Sequence, residues 1–335
     1  MTFITPTAKA TCPPEGSTSA KIAIIGEAPG TEEIRSGRPF IGPSGSILEQ
    51  CLHSAGLIRS SCYITNVIKE HPPRNDITPF FHLKTGTFTD RGKPYVEQLR
   101  EELSAIDANI FVPMGNTALA ALTGKHAITT ARGYVYPCTL NPGRKVLPTI
   151  HPASCIRGQY LSRYFISHDL KKAHLESAFP SIDYPHRDLI VPTSFVDAVK
   201  WLRHFQEQSH VTFDIEVANH EVSCLSFCSD DVLSVSVPFL DCWTEQEEVE
   251  LWYEVAKILE NPEIAKGGQN IMGFDIAFLA MQNSILVRGP LVDTMIGHHI
   301  VFPDFPKSLA FLASIYSRQP FWKDMVKFKT PKKEA

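Results

Sequence analysis

From Lys21 onward, short apolar runs alternate with amphipathic stretches, and this alternation restricts the first half of the chain to a mainly parallel sheet covered on both faces. KIAIIG (21–26), CYITNVI (62–68), NIFVPMG (109–115) and KVLPTI (145–150) read as buried strands. SGSILEQCLHSAGL (44–57), YVEQLREELSAI (95–106), NTALAALTG (116–124) and SRYFISHDLKKAHLESA (162–178) carry helical spacing. In such sheets ligands bind beyond the carboxyl ends of the strands. Glu27 after the first strand, Asn66 at the end of the second and His151 after VLPTI fall there, and they are the first candidates for chemistry.

The pattern changes after a proline-containing stretch without periodicity, residues 179–194, which reads as a linker. HVTFDIEV, VSCLSFC and VLSVSVPF then form three successive strands, consistent with an antiparallel meander. A helix (EQEEVELWYEVAKILEN), a short strand (AKGGQN) and three segments read as helices (FDIAFLAMQN, LVDTMIGHHIV, KSLAFLASIYS) complete a second α/β domain of ribonuclease-H type. The expected division is a flexible leader over 1–20, a first domain over 21–178, the linker, a second domain over 195–325 and a basic tail over 326–335.

Charge is unequally shared. Residues 1–178 hold 19 Lys and Arg against 14 Asp and Glu, or +5, and the remainder holds 13 against 22, or −9, which together return −4. A mildly basic half suits a polyanion, and carboxylates that hold divalent metals also count as negative. The eight cysteines include no Cys-x-x-Cys pair, and several sit in apolar contexts, as buried free thiols do. A reducing, cytoplasmic compartment is expected, with no membrane span and a monomeric state.

Three motifs in order carry the resemblance of the first half: GEAPGTEE with SGRPFIGPSG (26–45), YITNVIKEHPPRN (63–75) and TIHPAS (149–154). This region resembles the uracil-DNA glycosylase superfamily, closest to its family 4 branch, and the resemblance implies a three-layer αβα fold acting on DNA. Breaking the bond between uracil and deoxyribose builds positive charge on the sugar and negative charge on the base. It needs a base-sized slot, donors aimed at the departing anion and an extruded nucleotide. By resemblance, Glu27 orients water or stabilises the sugar cation, and His151 donates to the uracil oxygen. Phe40 stacks on the base, Asn66 reads its edge, and Gly26 and Ala28 line the slot. Ser154 and Arg157 grip phosphates. No cofactor is expected for this reaction. Family 4 enzymes carry four cysteines around an iron–sulfur cluster, whereas here only Cys12 falls in the first region and Gly92 stands about where the third ligand would be. No cluster is therefore expected. DITPFFHLKTGTFTDRG (76–92) reads as an insertion, either a DNA-contacting loop or a substitute for the cluster's stabilising role.

In the second half TFDIEV places Asp214 and Glu216 on one face of a strand, and NIMGFD supplies Asn270 and Asp275. Carboxylates so converging can hold two divalent cations about 3.5–4 Å apart. The set resembles the 3′–5′ exonuclease domain of family A DNA polymerases, which implies Mg²⁺ or Mn²⁺ at Asp214, Glu216 and Asp275. The third motif of that family, a Tyr and an Asp with three residues between them, has no counterpart, since Pro320 stands at the fourth position after Tyr316. Weak or absent exonuclease activity is expected from a truncated domain, and Asp293 reads as a helix-start or packing residue. The order of the two halves resembles the amino-terminal part of certain phage DNA polymerases. It implies a uracil-excising protein of replication or repair, in a bacterium or phage-infected cell, partnered by a polymerase domain. The alternative is a catalytically silent glycosylase-fold clamp on DNA.

Overall fold

The computed structural model describes residues 11–322. The chain forms two compact units. One contains the described residues up to Tyr184 together with Ala313–Trp322, and the other is Pro185–Leu312. No described helix is long and apolar enough to cross a membrane.

The first unit is built on four parallel strands in the spatial order Cys62–Asn66, Ile22–Gly26, Ile110–Pro113 and Lys145–Val146, with Tyr136–Pro137 antiparallel at the edge. Period-two alternation along Ile22–Gly26 sends Ala23 and Ile25 into one core and Ile22 and Ile24 into another. The first core packs Leu99 and Leu103 of helix Lys93–Ser104 and the alanines of helix Asn116–Thr123. The second packs Leu48 and Leu52 of helix Pro43–Ser54 and Ile166 and Leu170 of helix Ser162–Glu176. Two separate cores on the two faces of one sheet are the αβα layering expected from the sequence.

The second unit has the sheet order Leu291–Asp293, Ala265–Gly268, His210–Ala218, Glu221–Cys228, Leu233–Pro238 and Asp188–Ile190. The three central strands are antiparallel, and Ala265–Gly268 and Leu291–Asp293 add in parallel beside the first of them. That order and polarity are the expected ribonuclease-H arrangement.

Four local expectations are corrected. Residues 11–20 are not a free leader: Glu15 exchanges backbone hydrogen bonds with Ile64, at 2.9 and 2.7 Å, and its carboxylate is gripped by Arg59. Residues 1–10 lie outside the described residues, as does the basic tail. The linker contains a strand, Asp188–Ile190, parallel to Leu233–Pro238. Leu291–Asp293 is a strand rather than the first turn of a helix. Asp293 then caps the helix Thr294–Val301, accepting from the amides of Met295 and Ile296 as its helix-start reading requires. Finally, residues from Ala313 pack with the first unit rather than the second, through a buried polar network. Arg132 pairs with Asp169 and donates to the Ser314 hydroxyl at 3.1 Å, and Lys172 donates to the Ser317 carbonyl at 2.8 Å. The Phe321 ring meets Tyr134 edge to face at 5.3 Å.

The inserted segment 76–92 forms a two-stranded hairpin, Phe81–His82 with Thr87–Phe88. Phe80 and Phe81 are fully buried in the core that also holds Tyr63 and Leu99, so the segment adds core.

Candidate functional site

The parallel pairing of Ile22–Gly26 with Cys62–Asn66 sets Gly26 opposite Asn66, and the ladder continues as Val67 and Ile68 donate to the carbonyls of Gly26 and Glu27. Two strand ends therefore deliver a carboxylate and an amide side by side. The third contribution comes along the next strands: Thr149 pairs with Met114, and the Gly115 amide donates to the Thr149 carbonyl at 3.0 Å, which carries His151 to the same end of the sheet. The result is a cleft of about 320 Å³ lined among others by Glu27, Ala28, Phe40, Asn66 and His151. That volume lies at the lower end of small-ligand sites.

Phe40 forms one wall. Its backbone is left-handed, with φ of 51°, an uncommon state for a bulky residue. Neighbours hold it there. Arg59 donates to the carbonyls of Pro39 and Phe40 at 2.5 and 3.0 Å, and Glu15 grips Arg59 in turn. The Phe40 ring stacks on the His151 imidazole, with centroids 5.6 Å apart and planes 27° from parallel. Gly26 forms the floor: a Cβ there would lie 2.2 Å from the Asn66 Oδ1 and 2.6 Å from the Phe40 ring, so only glycine admits both side chains.

Asn66 is 4% exposed, and its side chain lines the cleft with Oδ1 turned towards Gly26. An amide on the wall of a cleft can offer a ligand both a donor and an acceptor. His151 accepts a hydrogen bond from the Ala153 amide at Nδ1, at 3.1 Å. A neutral ring that accepts at Nδ1 carries its proton on Nε2. Burial, then the charge of Arg157, depresses its pKa to about 4, so the ring is neutral near pH 7 and presents a donor.

Glu27 is shifted the other way. Burial raises its pKa, while the Thr117 hydroxyl, which donates to Oε2 at 2.5 Å, and the charge of Arg157 lower it. Thr117 is fully buried at the start of helix Asn116–Thr123 and was not singled out from sequence, where it reads as filler in an alanine-rich helix. Its signal was position, since it follows the end of the third strand. Pro72 and Asn75 also line the cleft unforeseen. Ser154 lies in the one-turn helix Ala153–Ile156, and its amide donates to the His151 carbonyl at 2.9 Å. Arg157 caps that helix, exposed, with its charge felt by both Glu27 and His151.

Removal of the Thr117 hydroxyl has a measurable consequence. A hydrogen bond to an ionised carboxylate favours it by about 1.5–3 kcal/mol, or roughly one to two pH units. His151 stays neutral down to about pH 4, so Glu27, with its raised pKa, governs the acid limb of any activity that needs its charge. Thr117→Val is expected to move that limb up by about one pH unit, and Thr117→Ser to leave it in place. An unmoved limb in the valine variant would show that Thr117 does not govern the carboxylate.

The residues do not fit a four-thiolate iron–sulfur cluster. The Cys12 thiol is raised to about 11 by burial and then by Glu33, which disfavours a thiolate. At Gly92 a Cβ would fall 2.1 Å from the Phe80 carbonyl oxygen and 3.1 Å from the Phe88 ring. The hairpin thus fills the space that a cysteine side chain at residue 92 would need.

In the second unit Asp214 and Glu216 share the open face of strand His210–Ala218. Asp275 opens helix Asp275–Gln282 and accepts from the Ile215 amide at 3.0 Å, which ties it between them. Asp214 is pushed up to about 6 by burial and then by the charges of Asp275 and Glu216, and Asp275 is raised as well. The three carboxylates sense one another. Yet among the described residues no three His, Cys, Asp or Glu side chains close into a group that could hold a metal ion.

Against known proteins, residues 13–176 match the uracil DNA glycosylase superfamily. The type-4 uracil-DNA glycosylase of Thermotoga maritima is 34% identical over 163 residues, covering 48% of this chain and 79% of that enzyme. A DNA polymerase of Bacillus phage SP01 is 28% identical over 209 residues, covering 60% of this chain but 21% of the polymerase. Among solved structures, the exonuclease domain of Aedes aegypti Nibbler matches 46% of this chain and 81% of that chain, at 14% identity and a TM-score of 0.35. With that match to a superfamily and more than a third of residues shared with a type-4 enzyme across most of its length, the chain belongs to the uracil-DNA glycosylase superfamily.

Proposed function

We propose that the first unit hydrolyses the N-glycosidic bond of a uracil turned out of DNA. The observation that carries this reading is the convergence of Glu27, Phe40, Asn66 and His151, from separate strand ends and loops, on one base-sized cleft. An amide offers one donor and one acceptor, which pair with the N–H and C=O of the uracil edge. Phe40 stacks on the extruded ring. As the bond between C1′ and N1 breaks, its electron pair passes to the base, and His151 donates from Nε2 to the oxygen where that charge gathers. The ionised Glu27, oriented by Thr117, faces the positive sugar and directs water onto C1′. The water's proton leaves to Glu27 or to the departing base. Ser154 and Arg157 hold the flanking phosphates.

For the second unit we infer a ribonuclease-H-like domain whose candidate metal-holding carboxylates are Asp214 and Glu216 on one strand face and Asp275, tied to that strand through the Ile215 amide. Similarity to the phage polymerase supports a place for the chain beside a replicating polymerase.

The test is release of free uracil from uracil-containing single- and double-stranded oligonucleotides, followed chromatographically for the wild type and Glu27→Gln. Release by the wild type and its loss in the variant are expected. Retention of DNA with no release on either substrate would favour a clamp over an enzyme.

A further inference from the structure

Beyond the uracil cleft, a second cavity of about 630 Å³ opens on the first unit, walled by Ile47 and Cys51 on one side and by Ile156, Tyr160 and Tyr164 on the other. The two cavities share elements. Helix Pro43–Ser54 lines the uracil cleft with Pro43 and Ser44 at its start, and lines the second cavity three to ten residues further on. The other wall belongs to the segment directly after His151. At ~1.5 Å of rise per residue, Ser44 and Cys51 stand about 10 Å apart along the helix. That is the span of about three stacked nucleotides at ~3.4 Å each.

The chemistry of the second cavity is specific. Tyr160 is 72% exposed, Ile156 52% and Tyr164 46%, so three large apolar side chains are left open to water together. The Arg163 guanidinium lies 4.9 Å from the centre of the Tyr164 ring, and its Nη2 donates to the Tyr164 hydroxyl at 3.0 Å. No carboxylate is among the described residues that line the cavity. Flat rings beside a guanidinium, with no acid among them, are how proteins hold unpaired bases and the phosphates between them. Arg157, exposed between His151 and Tyr160 in sequence, adds a cation whose charge reaches Glu27 and His151.

We infer that this cavity is a stacking subsite for unpaired bases flanking the extruded uracil, which makes single-stranded DNA the substrate the first unit grips best. This rests on the uracil reading of the first cleft. Replacing one stacking ring by alanine weakens binding of a base about tenfold.

The test uses the full chain and a single strand of about 15 nucleotides, a length suited to one such site. It carries one uracil, with the fluorescent base 2-aminopurine placed two nucleotides away on either side in separate strands. Tyr160→Ala and Tyr164→Ala are each expected to raise KM about tenfold with kcat unchanged, and to abolish a 2-aminopurine quenching seen with the wild type. Tyr160→Phe, which keeps the ring, should match the wild type. Unchanged KM and undiminished quenching in both alanine variants would overturn the inference, as would equal loss in Tyr160→Phe. Self-association in sedimentation that the alanine variants abolish, with KM unmoved, would overturn it in favour of a second copy of the chain. Quenching reads binding and not chemistry. A wild type that quenches but releases no uracil would therefore sink the catalytic reading while sustaining the subsite.

Discussion

His151→Ala is expected to lower uracil release about 10²- to 10³-fold in kcat, the usual consequence of removing one donor from a developing anion. The magnitude follows from the ring's neutrality. With Nδ1 occupied by the Ala153 amide and the pKa depressed to about 4, the imidazole offers an Nε2–H and no positive charge near pH 7. Its contribution is then a fixed hydrogen bond in a site away from bulk water, where such bonds count for more than in solution. The loss should be the same at every pH from about 5 to 9, because the ring does not titrate in that window. Single-turnover rates across that range check both claims. A loss below about tenfold, or one that grows steeply between pH 6 and 7, would remove His151 from this role. The same depressed pKa bears on stability. A histidine whose folded pKa is lowered from 6.5 to about 4 contributes stability that is fully present above 6.5 and lost as pH falls towards 4. Acid melting of the wild type should therefore begin earlier than that of His151→Ala, relative to each protein's own value at neutral pH.

The second large effect is expected at Gly26→Ala. One methyl group placed 2.2 Å from the Asn66 oxygen and 2.6 Å from the Phe40 ring forces both out of position. Neither can give way easily. Asn66 ends a strand buried along its whole length, and Phe40 is pinned by Arg59 through two backbone carbonyls. Displacement of a positioning group by about 1 Å costs on the order of 10²-fold in rate. Two groups are displaced here, so kcat/KM should fall by at least about 10²-fold, and overpacking should lower stability by roughly 1–3 kcal/mol. Uracil release and a denaturant melt, measured together, separate the two. A variant with full activity would mean that Phe40 and Asn66 do not meet the base at Gly26.

Much of this site could be read from the sequence, because its parts hang on strand ends. A buried parallel strand announces itself as a short apolar run, and the residue after it is then placed at the carboxyl edge of the sheet by topology alone. Glu27 is such a residue, Asn66 closes its own strand, and His151 follows the last parallel run by a few residues. What could not be read depended on pairings between segments far apart in the chain. Thr117 reaches Glu27 across ninety positions, and nothing in NTALAALTG marks its hydroxyl as different from helix filler. Residues 11–20 look like a polar leader because their order comes from edge pairing with Ile64 and from Arg59. Leu291–Asp293 merged with the following helix because three residues are too few to show a period of two. The hairpin's role was undecided in sequence. Only the crowding of Phe80 and Phe88 against Gly92 shows that it excludes a cysteine there.

The return of the polypeptide at Ala313 to the unit it left near Tyr184 has a practical outcome. Because the covalent path enters and exits Pro185–Leu312 from the first unit, no single proteolytic nick or gene truncation can release that unit with all of its described segments. A fragment ending near residue 180 would strand Arg132 and Lys172 without the Ser314 and Ser317 oxygens they now bond. An intact separate half requires excising the middle and rejoining the flanks.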